Sequence, residues 1–192
     1  APMSWTRSIP PDAAAGDLLP VYERIRALHP EHRVGNLWQA VAPAPGVLDA
    51  LFALVRATMD EPAPLSRAQA EAVAVAVSAV NGCRYCLAHH GPRLARALGD
   101  EPLARAVARD YREADLPAGD RVLLDYAVAL TCEPVERTAD DVERLREYGF
   151  DDAAILRAAT VASVFNLANR LIAGLGVELE EDVEPWETRL RV

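Results

Sequence analysis

The chain has 192 residues, 51% of them apolar, and a formal net charge of −9. That length buries a substantial core in one domain without disulfide staples. All 20 basic residues are arginine, scattered along an acidic chain, so nucleic acid is excluded as an expected partner. No run of 18 uninterrupted apolar residues announces a membrane span. The N-terminal stretch lacks the charged-then-apolar pattern of a signal peptide, and three cysteines are too few for a secreted framework. The expectation is a cytoplasmic protein.

Residues 1–16 carry three prolines and no periodicity and read as an extended arm. Residues 17–176 read as one all-helical domain. "PVYERIRALH" puts Val21, Ile25 and Leu28 on one face, with Pro20 at the first helical position. "GNLWQAVAPAPG" predicts a short helix ended by Pro43 and Pro45, and "GVLDALFALVRATM" a strongly apolar one. In "SRAQAEAVAVAVSAV", Ser66 followed by Gln69 is a capping box. Further helices are predicted in "EPLARAVARDYREA", "DRVLLDYAVALTC", "TADDVERLREYG", which Gly149 closes, and from Asp152 to about Gly174. Residues 177–192 form an acidic, then amphiphilic tail, expected as a surface or interface strap. The three tryptophans, Trp5, Trp38 and Trp186, are expected to anchor arm, tail and core to one another.

"AVAVAVSAV" alternates with period two, which on pattern alone suits a strand. Alanine is a poor strand former, a capping box precedes the run, and a lone strand would have no partner. A helix apolar on all sides, buried in the core, is the better reading. The fold class is therefore all-α.

The breaker pair Asn81-Gly82 ends that helix and a new one starts near Cys83. Cys83, Cys86 and His90, spaced i, i+3 and i+7, then share a stripe, with His89 turned about 100° away. Helical side chains lean toward the N-terminus, so His90 tilts over Cys86 as base to nucleophile. An ordinary thiol of pKa about 8.5 is only roughly 3% ionised at pH 7. A helix N-terminus supplies about 0.3–1 kcal/mol, short of the ~2.7 kcal/mol that two pKa units require.

Glu71 opens the apolar run. If the two helices fold back on each other, Glu71 lies about 15 Å from the pivot and His90 about 12 Å, so the two come roughly level. A carboxylate on a wholly apolar helix needs such a partner, which would in turn set the imidazole tautomer. A metal site from Cys83, Cys86, His89 and His90 is disfavoured, because consecutive histidines diverge. No metal or cofactor is expected. Pro92 is expected to kink or end the helix, and Cys132 to be a small buried apolar residue.

Glu71, eleven residues, Cys83, two residues, Cys86, three residues and His90, within "NGCRYCLAHH", resemble the signature of the alkyl hydroperoxidase D-like, carboxymuconolactone decarboxylase superfamily. "VFNLANRLIAGLGVELEE" resembles the C-terminal part of its peroxidase-related branch. Tyr85 stands where some members carry a histidine. The resemblance implies a core spanning about residues 48–126, homo-oligomers (dimer, trimer or hexamer) and thiol peroxidase activity on hydroperoxides. It implies that Cys86 attacks, Cys83 condenses with it to a disulfide, His90 and Glu71 relay protons, and a dithiol carrier restores the thiols. Two alternatives stay open: a decarboxylase or lyase of the same superfamily, and a non-enzymatic redox-sensing or zinc-stabilised scaffold. Asn166, Asn169 and Arg170 are more simply read as an inter-helix polar stripe than as a substrate pocket.

Overall fold

The computed structural model describes residues 3–28, 33–60 and 64–190. Among them the chain forms α-helices and no strand: α1 Leu18–Leu28, α2 Asn36–Val41, α3 Pro45–Met59, α4 Arg67–Val80, α5 Arg84–Leu98, α6 Glu101–Asp110, α7 Ala118–Cys132, α8 Ala139–Glu147 and α9 Asp152–Leu175. The fold is a single all-α domain.

Helix α4 is its centre. The Ser66 hydroxyl accepts from the Gln69 amide at 3.1 Å and the Gln69 carboxamide accepts from the Ser66 amide at 3.0 Å, closing the capping box. From Ala70 to Val80 every residue is buried, and α5, α6, α7 and α9 all pack against this helix. Alternating Ala and Val thus marks a helix covered on all sides, the small side chains letting four neighbours approach. Gly82, at φ +66°, makes the turn that sends α5 back along α4.

Several local expectations change. Helix α1 starts at Leu18, so Pro20 falls within its first turn, where a missing N–H leaves no bond unmade. Val21 and Ile25 are buried, but Leu28 at the helix end is exposed; His29 lies outside the described residues. Pro45 does not end α2 but opens α3. Pro92 does not end α5, which runs on to Leu98. One lost hydrogen bond is outweighed there by Leu87 and Leu94, fully buried on either side of it among α4 and α6. Cys132 is exposed, because it is the last residue of α7 and its neighbour Thr131 takes the inward position.

Helix α9 is long and apolar enough by length and composition to cross a membrane, but Ala158, Val161, Ala162 and Phe165 are buried against α3, α4 and α7. It is a core helix.

Both ends of the chain are stitched to this body. The Trp5 amide donates to Leu175 O at 2.8 Å, and the Glu178 amide to Met3 O at 2.9 Å. Tyr22 Oη donates to Ile9 O at 2.6 Å. Trp5 lies on Gly176, Trp38 packs edge-on against Phe52, and Trp186 lies flat on Gly91 in the middle of α5. A Cβ at position 91 would stand 2.3 Å from the Trp186 ring. Gly91→Ala is therefore expected to cost about 1–3 kcal/mol despite alanine's better helix propensity, read as a lowered thermal midpoint with increased Trp186 fluorescence exposure.

Candidate functional site

The α4–α5 hairpin brings Glu71 and His90 together: His90 Nδ1 lies 2.7 Å from Glu71 Oε2. Glu71 is 0% exposed. Its other oxygen, Oε1, forms an ion pair with Arg67 Nη2 at 2.7 Å, one turn earlier on α4 and half exposed. Burial works against the Glu71 carboxylate, but His90, Arg67 and Arg93 outweigh it and hold its pKa below the ordinary value. An ionised carboxylate only accepts, so Nδ1 of His90 carries the proton and Nε2 keeps a lone pair when the ring is neutral. Burial pushes His90 down and Arg93 and His89 add to that, overcoming the pull of Glu71. The resting pair is thus carboxylate with neutral imidazole. The Phe165 ring packs perpendicular to the imidazole, 4.6 Å between centroids.

Both site cysteines are reduced and nearly covered, at 7% exposure for Cys83 and 4% for Cys86. Cys83 occupies the N-cap of α5 and its Sγ accepts from the Cys86 amide at 3.4 Å. The Cys86 thiol donates to Cys83 as well, and this holds Cys83 below the ordinary thiol value against its burial. The same bond, together with burial, pushes Cys86 well up. The two titrate as a pair.

A polar cluster lies beneath the thiols. Asn169, buried on α9, hydrogen-bonds both of them and donates to Ser78 Oγ at 3.2 Å, and Ser78 reaches Cys86. Asn81 Nδ2 ties the cluster together, bonding Asn169 Oδ1 at 2.9 Å and Asn166 Oδ1 at 3.0 Å. Arg170 Nη1 bonds Asn166 Oδ1 at 2.7 Å. Asn166 is an inter-helix polar group, as the sequence suggests, whereas Arg170 is exposed and bonds to Asn166 on its own helix, and Asn169 acts on the thiols.

Tyr85, between the cysteines, faces the tail. Its hydroxyl donates to Glu180 Oε1 at 2.9 Å and accepts from the Leu37 amide at 3.2 Å. Glu180 Oε1 also accepts from the Asn36 amide at 2.7 Å, and Oε2 lies 2.8 Å from His89 Nε2. Despite burial, His89 and the Asn36 and Glu180 backbone amides hold Glu180 down to about 2. His89, expected at solvent or a subunit contact, instead pins this carboxylate. A depressed carboxylate stabilises the fold above its unfolded pKa, and that stability is lost as pH falls from about 4.3 toward 2. Glu180→Gln is expected to cost about 2 kcal/mol at pH 7, after discounting for solvent screening, with no added cost near pH 2; denaturant midpoints at the two pH values check this.

Residues 45–108, from the start of α3 into α6, match the carboxymuconolactone decarboxylase family. An uncharacterized peroxidase-related protein from a Silicibacter species is 30% identical, with 95% of each chain covered and a TM-score of 0.84. The chain belongs to the alkyl hydroperoxidase D-like, carboxymuconolactone decarboxylase superfamily. A second member, a peroxidase-related protein from Ralstonia eutropha described as an alkylhydroperoxidase AhpD core, is 28% identical over 95% of each chain, with a TM-score of 0.86. The debrominase Bmp8, solved with 2,3,4-tribromopyrrole, shares the superfamily's fold at 17% identity, 91% coverage of each chain and a TM-score of 0.75. No curated protein sequence matches. Members of the superfamily are enzymes, and among the described residues no cluster of His, Cys, Asp and Glu could hold a metal ion.

Proposed function

We propose that the protein is a thiol-dependent hydroperoxide reductase with an antioxidant role. The observation that carries the reading is the wholly buried Glu71 carboxylate hydrogen-bonded at 2.7 Å to His90, on the helix that carries two reduced cysteines at its N-terminus. A buried charge is costly, and this arrangement spends it on fixing the tautomer and basicity of one imidazole.

In the proposed cycle the Cys86 proton passes to the neutral His90 imidazole as the Cys86 sulfur attacks the hydroperoxide. The O–O bond breaks, the sulfur gains one oxygen as sulfenic acid, and the alkoxide takes a proton to leave as alcohol. Cys83 then attacks the Cys86 sulfur, a disulfide forms, and the sulfenic oxygen departs as water. An external dithiol returns two electrons and two protons and is itself oxidised to a disulfide. Asn169 and Ser78 donate to the developing sulfur anions. We place the protein in the cytoplasm and infer that it is a homo-oligomer. Leu54 on α3 and Leu156 and Leu167 on α9 are exposed on two helices that pack together, an apolar face suited to a second copy.

Titrating free thiols before and after one equivalent of cumene hydroperoxide tests the reading. The expected result is the loss of two of three thiols, with a peptide map showing Cys83 joined to Cys86 and Cys132 still free. Three thiols remaining would overturn it.

A further inference from the structure

A cavity of about 470 Å³ opens on the face of α5 beside the Cys86–His90 stripe, between that helix, α1, the segment before α2 and the tail. Its volume is within the range of small-molecule sites. Arg26, Arg33, Arg93 and Arg96 line it, in a chain whose net charge is −9. The carboxylates nearby are already engaged. Asp182 is held by both Nη atoms of Arg33 at 2.6 and 2.8 Å, and Glu180 by His89, Tyr85 and the Asn36 amide. Arg26, Arg93 and Arg96 make no hydrogen bond or ion pair among the described residues. Four guanidinium groups on one cavity wall outnumber the Glu180 carboxylate that lines it with them, and a bound anion would offset the excess positive charge.

The rest of the lining fits an organic ligand better than a bare ion. Val34, Pro92 and Val183 supply apolar wall. Gln39 lies on the same wall, its Nε2 donating to Val34 O at 2.7 Å.

We propose that this cavity binds a small organic anion, a carboxylate or phosphate monoester with an apolar body, gripped by Arg26, Arg93 and Arg96. The site is separate from the thiols, and the proposal stands whether or not they reduce peroxides. Arg93 connects the two, since its charge also acts on Glu71 and His90.

Calorimetric titration of the full chain at low ionic strength with phenyl phosphate, with mandelate and with neutral benzyl alcohol tests it. The expected result is binding of one anion per chain, weakened by added salt, with no binding of benzyl alcohol. Phenyl phosphate alone, or mandelate alone, assigns the headgroup as phosphate or carboxylate. The Arg26→Gln/Arg96→Gln variant should weaken binding about tenfold or more. Arg96→Gln, which alters only an exposed side chain, should weaken it by a smaller factor without changing the melting curve. The proposal is overturned if neither anion binds, if benzyl alcohol binds as tightly, or if the folded variants bind as the wild type does.

Discussion

Glu71→Gln is expected to lower hydroperoxide turnover by about 10²–10³-fold. The carboxamide occupies the same space but carries no charge, so it can neither stabilise the imidazolium as His90 takes a proton nor hold the Nδ1–H tautomer against its own N–H donors. The loss belongs in kcat/KM for the peroxide half-reaction, read by stopped flow. Thiol content and reduction by dithiothreitol should be unaffected. Removing the anion from between Arg67 and His90 also costs stability, about 1–3 kcal/mol, because charged partners are left unmatched.

The acid sensitivity of this pair has a definite sign. Glu71 is depressed in the folded state, so its stabilisation is present above its unfolded pKa and is lost as pH falls through the folded value. His90 is also depressed, so below about 6.5 the unfolded chain binds a proton that the folded chain does not, and stability again falls with pH. Both act in one direction: the wild type should lose stability steadily from about pH 6.5 downward. Glu71→Gln should keep the His90 part of that slope and lose the carboxylate part. A denaturant midpoint that rises on acidification from pH 7 to 6 would contradict a neutral buried imidazole.

Cys86→Ser is expected to abolish peroxide consumption, and Cys83→Ser to permit a single turnover that stops at a protein carrying one added oxygen. Intact mass after one equivalent of hydroperoxide separates the two. In the reduced wild type, one thiol should ionise below the ordinary value of about 8.5 and the other above it. The acidity favours Cys83, which accepts the Cys86 amide at the helix N-terminus, whereas the lean of the helix favours attack by Cys86. The mass experiment decides between them: if the added oxygen accumulates in Cys86→Ser and Cys83→Ser is inert, the roles are exchanged. Unimpaired turnover of a lactone or keto acid in the double serine variant would place the protein with the lyases of the superfamily.

What could be read in the sequence depended on how local it was. The distance from Glu71 to His90 followed from counting residues on either side of Asn81-Gly82, since both helices are regular and the turn is tight. Arg67 could have been found the same way, one turn before Glu71 on the same face. Glu180 could not: it lies 91 residues after His89 in a tail with several acids and no period, and only the tertiary path of that tail selects it. Asn169 reads in the sequence as a polar residue on a long helix, but the thiols above it come from another helix whose azimuth a single sequence does not give. The burial expected of Cys132 and the helix end allowed at Pro92 depart from the structure for a related reason. Exposure at a helix end and tolerance of a proline both depend on what surrounds the residue rather than on the residue.

The burial of α4 on every side has a mechanical consequence. Built from alanine and valine, it is a thin axle on which four helices bear directly, and both polar ends of the site ride on it: Glu71 near its start, Ser78 and Asn81 at its finish. No single neighbour can swing away without uncovering part of the axle, and the axle cannot turn without moving the acid and the amide cluster together. Local breathing is left to the arm, the tail and the outer helices, and the α4 amides should exchange with solvent only when the whole molecule opens.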